Sequence, residues 1–124
     1  MNYTVEEKSF AFAIRITNLY KHLVNTKTEY VLTKQLLRCG TSIGANIAEA
    51  QEAQSDADFI AKLSISLKEA RETEYWLRLL HATEYLKEKE YLSIMADCKE
   101  LEKMLTAIIK TSKDKIGKQL STVN

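Results

Sequence analysis

The chain has 124 residues, no proline, three glycines and 45% hydrophobic residues, which favours one compact all-helical domain over a disordered chain or a β-sandwich. Lysine and arginine number 18 against 17 aspartate and glutamate, a net charge of +1, so bulk charge does not mark a nucleic-acid binder and any electrostatic function must lie in how the charges are arranged. No apolar run approaches the roughly 20 residues of a membrane span, and the opening MNYTVEEKSF is too acidic and polar for a signal peptide, which points to a cytoplasmic protein.

The first predicted helix opens with Thr4 and Glu7 at capping-box spacing and carries Phe12, Ile16, Leu19, Tyr20 and Leu23 on one stripe. The polar stretch from Asn25 to Thr28 ends it, with Thr26 or Thr28 placed to cap the next helix. The second helix shows Leu32, Leu36, Cys39, Ile43, Ile47 and Ala50 on one side. Within it, Gly40 and Gly44 each cost roughly 1 kcal/mol relative to alanine. With Ser42, Ala45 and Ala48 they make a smooth small-residue face that predicts close approach by another helix. Ser55 and Asp58 resemble a second capping box, and the third helix follows with Phe59, Ile60, Leu63, Leu67, Ala70, Leu77 and Leu80. After a weak break near Thr83 to Leu86, the fourth carries Leu92, Met95, Cys98, Leu101, Leu105, Ile108 and Ile109. Four helices with short connections predict an all-α, antiparallel up-down-up-down four-helix bundle over residues 1–113, with a frayed tail over 114–124. Cys39 and Cys98 fall on the stripes and read as small, reduced core residues.

Several large residues fall outside one stripe per helix: Phe10 and Ile14 on the first helix, and Ile65, Trp76 and Leu79 on the third. An exposed apolar patch of this kind predicts self-association, and a symmetric homo-oligomer is its default form. The cations also fall into rows. Lys8, Arg15 and His22 recur on the first helix, and Lys27, Lys34 and Arg38 share one side of the second. On the third, Lys68, Arg71, Tyr75 and Arg78 set an aromatic ring among three cations, a pattern suited to phosphates with one stacking platform. Glu69, Glu72 and Glu74 on the same helix oppose it, and a solvated face with local ion pairs is the alternative.

Catalytic signatures are sparse. Di-iron bundles require Glu-x-x-His pairs, and the positions three before His22 and His81 are Leu19 and Arg78. Two histidines and two separated cysteines offer no metal site, and the glycines lie within a helix rather than in a phosphate loop after a strand, so no cofactor is expected. Arg15 and His22 stand at a spacing that resembles the Arg-x4-6-His motif of helical HEPN ribonucleases, a remote alternative resting on that pair alone.

The segment from Gln35 to Leu80 is more specific. Arg38, Ser42, Ile43, Ala45, Asn46, Ile47, Ala48 and Glu49, then Phe59-Ile60, Leu63-Ser64-Ile65, Glu69 and Glu74, resemble the family of four-helix bundle proteins first noted in intervening sequences of 23S ribosomal RNA genes. The similarity runs from about Val5 to Thr111. It implies an antiparallel bundle assembled as a homopentamer. It also implies kinship with the accessory variability proteins of diversity-generating retroelements, which bind nucleic acid and a reverse transcriptase. The motif residues Arg38, Ser42, Asn46 and Glu49 have two uses open to them. One is a structural network involving Arg38 or Arg71, and the other is a surface facing a ligand or partner in the oligomer. The expectation is a non-enzymatic, homo-oligomeric scaffold that binds structured RNA or an RNA–protein complex through Arg15, Lys34, Arg38, Lys68, Arg71, Tyr75 and Arg78. The alternative is a protein–protein adaptor without nucleic acid.

Overall fold

The computed structural model describes residues 3–123, which form α1 (Val5–Lys27), α2 (Leu32–Ala50), α3 (Asp56–Ala82) and α4 (Glu88–Val123). Each seam between consecutive helices runs antiparallel, as its pairings show. Gly40 and Gly44 of α2 meet Ile16 and Ser9 of α1. Ile43 of α2 accepts from the Ser66 hydroxyl on α3, and Glu49 pairs with Lys62. His81 of α3 stacks on Tyr91 of α4, while Cys98 lies under Ala70. The helices therefore go up, down, up and down, with α4 returning beside α1.

The expected stripes make the core. Phe12, Ile16 and Leu23, then Leu36, Ile43 and Ile47, then Leu63, Leu77 and Leu80, then Leu101 and Leu105 all bury fully or nearly so. Buried polar groups are few and bonded: Ser66 donates to the Ile43 carbonyl at 2.8 Å and Thr73 to the Glu69 carbonyl at 2.8 Å. Leu92, placed on the α4 stripe by spacing, is 58% exposed, and Ile94 takes the core position instead. Ile94 stands four residues before Cys98 and seven before Leu101, so it continues the heptad of α4, and Leu92 lies off it.

The caps agree in part. Thr4 and Glu7 form the reciprocal capping box, with the Glu7 amide donating to Thr4 Oγ1 at 3.1 Å and the Thr4 amide to Glu7 Oε1 at 3.1 Å. At α3, Ser55 accepts from the Asp58 amide, but Asp58 answers the Gln54 amide rather than that of Ser55. Neither Thr26 nor Thr28 caps α2. Thr28 closes α1 in a left-handed conformation at φ 54°, and the cap belongs to Glu29. Its carboxylate accepts from the Val31, Leu32 and Thr33 amides at 3.2, 2.9 and 2.9 Å, and from the Thr33 hydroxyl. Burial alone raises the Glu29 pKa, but these donors outweigh it and hold the carboxyl below its usual range. The residues expected to fray beyond Lys113 continue α4 as helix to Val123, and Asn124 lies outside the described residues. The missing stripe shows there as exposure of nearly every side chain from Lys113 to Ser121.

The small-residue face of α2 is where α1 comes closest. A Cβ at Gly40 would stand 2.9 Å from both Cγ1 and Cγ2 of Ile16, a branched side chain with no exposed surface. At Gly44 the nearest atom is the Ser9 backbone oxygen at 3.3 Å, whereas Gly117 on α4 meets nothing within 4 Å. Gly40→Ala is expected to lose about 1–2 kcal/mol in urea denaturation, because overpacking outweighs the gain in helix propensity. Gly117→Ala, with open space around it, is expected to gain a few tenths up to about 1 kcal/mol. A stabilised Gly40→Ala would show that α1 yields at this seam.

Candidate nucleic-acid interface

The outer face of α3 carries the row Lys68, Arg71, Tyr75 and Arg78, all exposed. The acidic residues interleaved with them turn sideways, because an α-helix advances about 100° per residue. Glu69 and Glu72 reach Arg38 on α2, the Glu69 contact at 3.2 Å, and Glu74 reaches Lys99 on α4 at 2.7 Å. The Trp76 indole N–H, donating at 3.1 Å, is the main cause that lowers the Glu72 pKa, and Arg38 adds to it. Lys99 does the same for Glu74. Glu72 and Glu74 are thus held ionised, the first by Trp76 together with Arg38 and the second by Lys99. Among the described residues, Lys68, Arg71 and Arg78 make no ion pair. They act on Glu72, Glu102 and Glu74 only as weaker, longer-range influences.

The seven candidate residues do not gather on one surface. Arg15 is bound across the α1–α4 seam to Asp97 and Ser93, both at 2.7 Å, and Lys8 pairs with Glu100 just above it. Arg38 is committed to Glu69 and Glu72. Lys34 is exposed on α2 without an ion pair. That leaves the α3 row as the coherent group. Arg15 and His22 both border a shallow hollow of about 270 Å³, yet the Arg15 head is held by α4, and His22 Nδ1 lies 3.4 Å from Thr26 Oγ1. No group of three or more His, Cys, Asp or Glu among the described residues is arranged to hold a metal. Both cysteines are free and buried, and burial pushes the Cys39 thiol up to about 11 and raises that of Cys98 too.

The motif residues of α2 form no network with Arg71. Ser42 donates to the Arg38 carbonyl at 2.6 Å and Asn46 to the Ser42 carbonyl at 2.8 Å, each four residues back on its own helix. Glu49 pairs with Lys62 at 3.6 Å. Only Arg38 ties this stretch to the acidic residues of α3. The spacing of residues 38, 42 and 46 carries the signal for this back-bonding, although it does not reveal that the side chains bond to backbone rather than to one another.

The off-stripe apolar residues divide. Phe10, Ile14 and Ile65 are 68%, 50% and 44% exposed. Trp76 and Leu79, expected outside, are half-buried, and Trp76 packs against the core with its indole nitrogen held by Glu72. Phe10 overhangs a groove of about 550 Å³ between α1 and α2, floored by the small residues Ala13, Gly44, Ala45 and Ala48.

Behind the cationic row, burial and the nearby Glu74 carboxylate raise the Glu102 pKa to about 7, while Lys99 and Glu102 lower that of Glu74. A folded value above the ordinary 4.5 means that the folded state binds the Glu102 proton more tightly. Its contribution to stability is complete below about pH 4.5 and is lost as pH rises through about 7. Glu102→Gln, which keeps a donor towards Glu74, is therefore expected to match the wild type at pH 4. Its thermal midpoint should pull ahead as pH rises and level off above about pH 8. A pH-independent difference would show that the Glu102 carboxyl is not raised in the folded state.

Comparison with known proteins bears on this geometry. Residues 1–107 match the model of the 23S rRNA-intervening sequence protein family. Among curated proteins no relative matches. Among solved structures, the chain is 61% identical to a protein of unknown function from the S23 ribosomal protein family of Bacteroides thetaiotaomicron. That likeness covers 86% of this chain and 99% of the other, with a TM-score of 0.86. The four-helix bundle described above belongs to the 23S rRNA-intervening sequence protein family.

Proposed function

We propose that the protein is a non-enzymatic, cytoplasmic scaffold that assembles as a homopentamer and binds structured RNA through the outer face of α3. The observation that carries this reading is the segregation of charge on that helix. Lys68, Arg71 and Arg78 stand exposed and free of ion pairs, while Glu69 and Glu72 turn aside to share Arg38 and Glu74 turns to Lys99, so two cations offset most of the charge of the three carboxylates. A net charge of +1 conceals such a surface, because affinity for phosphates depends on local cations. Three cations per chain bind weakly, and repetition around an oligomer multiplies them through effective concentration.

Two features support a ring. Phe10 and Ile14 expose apolar surface on α1 and Ile65 on α3, two helices that lie diagonally across the bundle and share no seam. Separate apolar surfaces of this kind suit head-to-tail contacts, which close into rings, better than a two-fold dimer, which uses one patch on both subunits. The number five comes from the family resemblance.

In filter binding to ribosomal RNA fragments across a salt series, the wild type is expected to bind at micromolar concentration with affinity falling steeply as salt rises. The double variant Arg71→Glu, Arg78→Glu should weaken binding at least about tenfold and flatten the salt dependence by about one unit of slope per lost phosphate contact, without altering the helical circular dichroism. Salt-insensitive or absent binding by the wild type ends the RNA reading, and partners retained in a pull-down after nuclease treatment would favour a protein adaptor. For assembly, light scattering should give five times the mass of the chain. Phe10→Glu, at a site 68% exposed and so harmless to the fold, should reduce it. An unchanged mass would place the contact elsewhere.

A further inference from the structure

At the C-terminal end of α3 the cationic row runs into aromatic rings that the phosphate track does not use. Tyr75, Arg78, Leu79, His81, Ala82 and Tyr91 line an open hollow of about 370 Å³, within the usual size range of small-ligand sites. We propose that this hollow takes one unpaired nucleotide of a bound RNA, its base stacked on the aromatic rings and its phosphate on Arg78. The inference rests on the reading of α3 as an RNA-binding face and specifies what that face recognises.

The walls are preorganised. His81 and Tyr91 stack with centroids 4.1 Å apart and planes within 2°, a pairing that joins the end of α3 to the start of α4. Tyr75 is 55% exposed, yet its ring meets Trp76 edge-on at 5.2 Å and 81°. Trp76 in turn is fixed by its indole bond to Glu72. Tyr75 therefore offers an open ring face at little cost in lost motion. Arg78 lies one turn beyond Tyr75 and one turn before His81, so its guanidinium stands on the same side of the helix as both rings. It makes no ion pair, since the nearest acidic group on α3, Glu74, is taken by Lys99.

Ring faces beside an uncommitted cation select for a base whose own face is free. In a fully paired stem every base is stacked between its neighbours, and A-form RNA offers its backbone and 2′-hydroxyls instead. A bulged or looped-out nucleotide offers a free face and a flanking phosphate together. Stacking of this type tolerates any base, so the site discriminates unpaired from paired rather than one sequence from another.

Two stem RNAs that differ only by a single bulged nucleotide, absent from the fully paired one, separate the two parts of the proposal by fluorescence anisotropy across a salt series. The wild type is expected to prefer the bulged stem by about tenfold. Tyr75→Ala should abolish that preference by weakening the bulged stem much more than the paired one, with the salt slopes unchanged because no charge is lost, and Tyr75→Phe should retain the preference. Arg71→Glu should weaken both stems alike. Binding of the bulged stem should also change the emission of Trp76, the single tryptophan of the chain, in the wild type and not in Tyr75→Ala. Equal affinity of the wild type for both stems, or a Tyr75→Ala that weakens both equally, overturns the nucleotide site and leaves the phosphate track standing. Failure of either stem to bind in a salt-sensitive way overturns the track, and the site with it.

Discussion

The close approach of α1 to α2 at Gly40 governs the rest of the bundle. With no Cβ on Gly40, Ile16 settles directly against the α2 backbone, and the same seam brings Ser9 onto Gly44 seven residues earlier on α1. An approach of this kind fixes the register between the two helices, since a shift by one residue on either would drive a side chain into a backbone. The asymmetry of the molecule follows. Three seams are well packed, while α1 and α4 touch least and are bridged at the rim by Lys8–Glu100 and Arg15–Asp97 over an open cleft that contains Phe12 and Leu101.

The same tight seam leaves the other side of the small-residue face uncovered. Gly44 belongs both to the contact with Ser9 and to the floor of the groove beneath Phe10, with Ala45 and Ala48 exposed beside it. One local substitution pattern thus serves two ends: it seats α1 against α2, and it keeps an adjacent strip of α2 flat. Charge is distributed by an equally local rule. Acidic residues of α3 at the flanks meet Arg38 and Lys99 on the neighbouring helices, so ion pairs follow the seams and the unopposed cations are left facing outward. Exposed pairs of this kind add little to stability. Their consequence here is the sign of the outward face.

Much of this was legible from sequence, and the misses share a cause. The stripes, the Thr4–Glu7 box and the glycine seam were visible because each follows from spacing within one element. Glu29 was not, because a glutamate capping from before the helix depends on the turn that Thr28 makes with its positive φ. Leu92 is the exception, because the spacing itself favours Ile94, four residues before Cys98 and seven before Leu101. Trp76 looked exposed by periodicity, yet a large ring at the edge of a stripe folds down onto the core when its N–H finds an acceptor, and Glu72 supplies one. In the candidate interface, the row of cations was legible as a row. Which of them were free was not, since that depends on partners one or two helices away: Asp97 for Arg15, and Glu69 and Glu72 for Arg38.

These partners also explain how a nearly neutral chain can sustain the proposed role. Were the acidic residues of α3 unpaired, each would stand within a turn of a cation on the outer face and cancel much of its field at the distances a phosphate experiences. Paired sideways with Arg38 and Lys99, they are offset except for one charge, and Lys68, Arg71 and Arg78 remain the excess that faces outward. Glu102 extends the same logic inward, because a carboxyl raised to about 7 carries less than a full negative charge behind the row near neutral pH. In the proposed assembly the row repeats once per subunit. A ring of such rows presents to RNA a cationic surface that no single chain, at a net charge of +1, displays in its composition.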